Sequence, residues 1–145
     1  MKVRTLTSSE YFVLAPLLQK QGKHYGETQI QTVLEYLVTA NTNHHDSVFA
    51  FVAESDEGDI LGYLLVLNMI HPLLPSESAK SHEMAMYATK GCGSLLLEAW
   101  EKLAKERNIY TLVLHCDEDS KRFDRLYGAK GFRRSASITY QKELS

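Results

Sequence analysis

The stretch Tyr87–Cys116 constrains this chain more than any other. A glycine-rich turn over Lys90–Ser94 leads into Ser94–Arg107, where Leu96, Leu97, Trp100, Leu103 and Ala104 recur at helical steps and share one face. Asn108 suits the helix stop. Tyr110–Cys116 then reads as a strand, with Leu112, Leu114 and Cys116 alternating against Thr111, Val113 and His115. His82–Tyr87 is a shorter strand candidate ahead of the turn. A helix with one apolar face set between two strands needs a sheet to lie on.

The upstream segments supply the rest of that sheet. Val3–Leu6 is a short strand. Thr7-Ser8-Ser9-Glu10 has the spacing of a capping box, and a helix should follow with Leu14, Leu17 and Leu18 on one face, ending at Gln21-Gly22. A second helix from about Glu27 to Ala40 carries Ile30, Val33, Leu34, Leu37 and Val38 at helical spacing. Ser47–Glu54 and Ile60–Met69, joined across Asp56–Asp59, read as a hairpin, and Gly62 inside the second run marks a candidate bulge. Ile70–Ser81, with Pro72 and Pro75, reads as a loop. Downstream, Asp117–Ser120 can start a helix that Gly131 ends, and Ile138–Leu144 reads as a closing strand. The expected fold class is α/β: a central mixed sheet with helices on both faces, in a single domain spanning 1–145.

Charge is unevenly divided. Residues 1–87 carry five Lys/Arg against ten Asp/Glu, whereas residues 88–145 carry eleven against eight. A solvated surface accounts for this, and so does an anion held by the C-terminal half. The net charge of −2 gives no reason to expect nucleic acid as a partner. No apolar run is long enough to span a bilayer and no secretory cleavage pattern is present, so a cytoplasmic protein without a membrane partner is expected. Two cysteines make no disulfide scaffold, and His24 and His44-His45 lack a ligand set with metal spacing, so no metal is expected.

Two segments carry candidate chemistry. In Thr89-Lys90-Gly91-Cys92-Gly93-Ser94, two glycines let backbone amides turn toward a ligand at the start of a helix, where unpaired amides favour an anion. A plain tight turn has the same signature. It is neither a dinucleotide fingerprint nor a Walker loop. Cys92 lies where a helix start can lower a thiol pKa, or simply fills the turn. In Leu126-Tyr127-Gly128-Ala129-Lys130-Gly131-Phe132, Tyr127 is either a packing residue or a proton donor at a cleft.

Taken together, a Gly-x-Gly opening a helix, a strand, and a helix ending in Leu-Tyr-x-x-x-Gly-Phe resemble the GCN5-related N-acetyltransferase (GNAT) family over most of the chain. The resemblance implies a mixed sheet whose middle strands splay, with acetyl-CoA as co-substrate in the gap. Thr89, Lys90, Gly91, Cys92, Gly93 and Ser94 would hold its pyrophosphate. Its pantetheine arm would run beside the end of the His82–Tyr87 strand at Met86, and Ser120 would join the cofactor site. Tyr127 would protonate the leaving thiolate. The acceptor would be a small-molecule or peptide amine, attacking directly in a ternary complex. Ala88 stands where the family usually has Arg or Gln, and Ser120 where it often has Asn.

An attacking ammonium must first lose a proton. Glu83 is the first candidate base; His115, His82 and His71 follow, His82 and His71 as loop-side residues. The departures at Ala88 and Ser120 motivate a second reading, a non-catalytic acyl-CoA-binding or partner-binding module on the same fold. A third is an unrelated α/β nucleotide-phosphate binder. Oligomeric state stays open, a homodimer included.

Overall fold

The computed structural model describes residues 1–21, 27–43, 48–70, 80–89, 91–114, 124–135 and 140–144. They fall into two compact units, Met1–His115 and Cys116–Ser145.

The first unit is built on a five-stranded sheet: β1 (Lys2–Thr5), β2 (Val48–Glu54), β3 (Ile60–Ile70), β4 (Lys80–Ala88) and β5 (Thr111–Leu114), in that spatial order. The first four strands are antiparallel neighbours, and β5 joins β4 in parallel. This is the mixed sheet expected from the sequence. β4 is longer than the His82–Tyr87 reading. Its nine residues pair along their whole length with β3, and that ladder extends the strand beyond its own apolar pattern.

The capping box forms, with the Thr7 amide and hydroxyl both donating to Glu10 Oε1 at 3.1 and 3.0 Å. It opens a 3-10 turn, Ser8–Leu14, rather than an α-helix. Regular helix α1 begins only at Ala15–Gln21, with Pro16 in its first turn, where the missing amide costs nothing. Helix α2 is Glu27–Asn43 and α3 is Gly93–Glu106.

Strand alternation sends side chains to two faces. Val48, Ala50, Val52 and Tyr63 pack with Leu14, Leu17, Leu18, Ile30, Leu34 and Leu37 beneath the first two helices. Leu96, Leu97, Trp100 and Ala104 of α3 are buried on the other face. β2 lies between both layers, which explains why six of its seven residues are buried and its sequence reads as a continuous apolar run.

α3 ends as Asn108 adopts φ 57°, with the Asn108 amide on the Lys105 carbonyl and the Ile109 amide on the Ala104 carbonyl. That closure satisfies the last carbonyls and starts the chain back toward β5.

The second unit contains helix α4, Asp124–Ala129. The longer helix expected from Asp117–Ser120 begins outside the described residues. The expected closing strand over Ile138–Leu144 is not found in its described part: residues 140–144 join no ladder, and Tyr140 and Leu144 are exposed. Alternation alone makes a strand only where a neighbouring edge accepts it. Among the described residues, no helix is long and apolar enough to cross a membrane.

Candidate active site

Among the described residues, the parallel pairing of β4 with β5 runs from Ser81↔Thr111 to Met84↔Leu114. Residues Ala85–Ala88 continue for four more positions, paired to Leu65, Leu64, Tyr63 and Gly62 of β3. On their other side they have no strand partner among the described residues. Alternate amides and carbonyls of this stretch point away from β3. Met86, expected at the cofactor, lies within it and is half-buried.

Directly beyond Ala88 lies the glycine turn. The Cys92 amide donates to the Thr89 carbonyl at 3.1 Å, which closes a four-residue turn with Gly91 at its third position. Gly91 adopts φ 75°, a conformation that favours glycine, with no atom within 4 Å of where a β-carbon would sit. Gly91 is thus required by backbone conformation, whereas Gly93 is buried in the first turn of α3. Two of the expected cradle amides are already engaged: Thr89 donates to the Leu61 carbonyl and Cys92 to Thr89. Gly93, Ser94 and Leu95 open α3 with amides that have no intrahelical acceptor. No side chain caps the helix at Cys92. Gly91, Gly93 and Ser94 are therefore the expected residues whose amides remain for an anion; Lys90 and Ser120 lie outside the described residues.

Cys92 is fully buried, and burial pushes its thiol up rather than down. Of the two readings of Cys92, a lowered thiol or a residue filling the turn, the second holds, because desolvation of the thiolate outweighs the backbone contacts at Thr89 and Cys92. Cys92 fills space behind the turn.

Glu83 sits on β4 between Leu67 of β3 and Val113 of β5, one position before the last described pair of β4 and β5. It is half-buried and shares a strand face with Ala85 and Tyr87, the latter stacked on Tyr63 with ring centroids 6.3 Å apart. His82 is not the loop-side residue anticipated. It is wholly buried in β4, where its Nδ1 accepts a hydrogen bond from Trp100 Nε1 at 3.1 Å and its ring meets the edge of Phe49. Desolvation, reinforced by Arg107, lowers its pKa to about 4. A neutral, buried imidazole of this kind is a core residue, not a base for solvent-borne substrate. His71 and His115 lie outside the described residues.

Tyr127 lies in α4, in the second unit. Its carbonyl accepts the Phe132 amide at 3.0 Å, the Gly131 amide donates to Gly128 at 3.1 Å, and Gly131 adopts φ 88°. The two rings meet edge to face, centroids 6.0 Å apart. This is a Schellman closure with its accompanying apolar contact. It explains the Tyr-x-x-x-Gly-Phe spacing physically: the ring five residues on packs back across the left-handed glycine.

The residues that sequence reasoning did not single out as functional are Leu61 and Gly62, which touch the turn from β3. Only the glycine within an otherwise apolar strand pointed to them.

The family model for the acetyltransferase (GNAT) family matches residues 14–132, and the chain belongs to that family. No curated protein matches it in sequence. Solved structures share its fold. A ribosomal-protein-alanine N-acetyltransferase from Brucella melitensis biovar Abortus 2308 is similar with TM-score 0.75 at 17% identity, covering 99% of this chain and 100% of that one. A predicted acetyltransferase with acetyl-CoA from Clostridium acetobutylicum is similar with TM-score 0.78 at 16% identity, covering 97% and 95%. AAC(6')-Iy, in complex with the bisubstrate analog CoA-S-monomethyl-acetylneamine, is similar with TM-score 0.78 at 13% identity, covering 99% and 98%. The mixed five-stranded sheet with its helices is therefore an acetyltransferase fold.

Proposed function

We propose that this protein is an acetyl-CoA-dependent N-acetyltransferase acting on a primary amine by direct attack in a ternary complex, with residues 1–145 forming one catalytic domain. The observation that carries this reading is the stretch Ala85–Ala88, which has no second strand partner among the described residues, running straight into an uncapped helix start through the Gly91 turn. A long ligand with an anionic end and an amide-bearing arm fits that pair of features: the amides of Gly91, Gly93 and Ser94 take the anion, and the strand edge pairs with the arm. Bound there, acetyl-CoA supplies the acyl group as a thioester.

The chain's own residues have separate tasks. A β4 amide pointing away from β3 polarises the acyl carbonyl. Glu83, on β4 between β3 and β5, takes the proton of the incoming ammonium, directly or through water. Tyr127 returns a proton to the departing sulfur, the role that family membership implies for it. The acceptor is a small-molecule or peptide amine, and the acidic residues of the N-terminal half favour a cationic one. Solved neighbours whose names include a ribosomal-protein-alanine N-acetyltransferase and an acetylneamine-bearing bisubstrate complex support an amine acceptor without choosing between peptide and aminoglycoside. A cytoplasmic setting agrees with the use of acetyl-CoA.

Thermal-shift binding of acetyl-CoA, followed by an amine panel read through released thiol, tests the proposal. Binding and turnover are expected. Binding without turnover on any amine transfers the protein to the second reading, an acyl-CoA-binding module, which Ala88 already favours.

A further inference from the structure

The glycine turn is held from behind by a part of the chain far away in sequence. β3 pairs with β2 as Ala53↔Gly62 and then Glu54↔Ile60, so Leu61 is the extra residue of a bulge. The Leu61 carbonyl accepts two donors from one residue, the Thr89 amide at 3.1 Å and the Thr89 hydroxyl. Next to it, Gly62 faces Ala88 across the ladder. A β-carbon on Gly62 would lie 2.6 Å from Cys92 Sγ, 2.7 Å from the Tyr87 carbonyl oxygen and 3.1 Å from Ala88 Cα. Two of those three neighbours are backbone, so an added methyl cannot be absorbed by rotating a side chain.

We propose that Leu61, Gly62 and Thr89 form a latch that fixes where the glycine turn sits, making Gly62 and Thr89 positioning residues for CoA. The proposal rests on the acetyl-CoA reading above. It also gives Thr89 a different task from the one expected: its two donors are spent on Leu61, so it acts on the ligand through the amides that follow it. The bulge end of β3, Thr89 and the buried Cys92 thiol form one packed unit, and the first-turn amides of α3 move with it. Because those amides are aligned by the turn, a displacement of a few tenths of an ångström at Gly62 is carried to each of them.

The experiment uses the full chain in a Cys116→Ala background, so that Cys92 is the single thiol. Two readouts are taken on wild-type residues 62 and 89, Gly62→Ala, Thr89→Val and Thr89→Ser. Thiol labelling under native conditions reports the latch without ligand; calorimetry with CoA and the KM for acetyl-CoA report its consequence. Gly62→Ala is expected to speed Cys92 labelling and weaken CoA binding by at least about tenfold. Thr89→Val, which deletes one hydrogen bond, is expected to weaken it by about three- to tenfold, with Thr89→Ser restoring it. The effect should fall on the KM for acetyl-CoA and leave the KM for the amine unchanged, a split that general destabilisation would not produce. Faster labelling with unchanged CoA affinity overturns the positioning role, and unchanged labelling overturns the latch. If the parent protein fails to bind CoA, the acetyl-CoA reading falls and the positioning role with it, while the labelling series still decides whether the latch exists.

Discussion

Acidification should destabilise this protein through one buried side chain. His82 is fully buried, and its Nδ1 holds the Trp100 indole N–H. Protonation would replace that acceptor with a second donor and place a cation in an apolar pocket near Arg107. The pKa is accordingly lowered from 6.5 to about 4. In the unfolded chain the imidazole takes its proton near pH 6.5, so between pH 6.5 and about 4 the unfolded state binds more protons. The stabilisation from a neutral His82 is complete above pH 6.5 and is lost as pH falls through that window. Below about pH 4 the loss is complete. At about 1.4 kcal/mol per pH unit, the window is worth up to about 3 kcal/mol, a large share of the roughly 5–15 kcal/mol that holds a typical domain together. Urea unfolding followed by the fluorescence of Trp100, the single tryptophan, measures it at pH 7, 6, 5 and 4. The control is His82→Asn, whose Oδ1 can keep the indole bond but does not titrate. Carboxylates held low by partners, such as Glu54 beside Arg4 and Asp56 beside the N-terminal amine, lose stability as pH falls through their own range in both proteins and cancel in the comparison. The wild type should lose about 3 kcal/mol more than the variant between pH 7 and 4. Parallel curves would refute the reasoning and show that the folded protein already accommodates an imidazolium.

Tyr127→Phe keeps the edge-to-face contact with Phe132 and removes only the hydroxyl; turnover should fall by about 10²–10⁴, toward the low end because a thiolate leaves readily, with CoA binding and melting temperature unchanged. Gly91→Val should abolish detectable CoA binding by calorimetry while circular dichroism stays native, since a branched residue at φ 75° must reshape the exposed turn. The Kd for CoA should rise with added salt, as expected for a polyanion held by the basic half of the chain; a salt-independent Kd would count against the anion cradle.

Periodicity alone determined much of this protein. The amphipathic spacing of Leu96, Leu97, Trp100 and Ala104 announces α3, the apolar run within Ser47–Glu54 announces a hairpin strand, and Asn108 and Gly131 announce helix ends, because each is a local consequence of side-chain spacing or backbone freedom. The glycine turn and the Tyr127–Phe132 segment were legible for the same reason, and with them the family. Tertiary structure decided the rest. It lengthened β4 through its ladder with β3, left the described residues 140–144 outside any strand, and turned the segment after the capping box into a 3-10 turn. It set the chemistry of individual groups as well: His82 and Cys92 carry ordinary pKa values in the sequence, and only burial against Trp100 or behind Gly91 moves them. The contact of Gly62 with Cys92 lies beyond sequence reasoning, since a close approach between residues thirty positions apart exists only once β3 and β4 are paired.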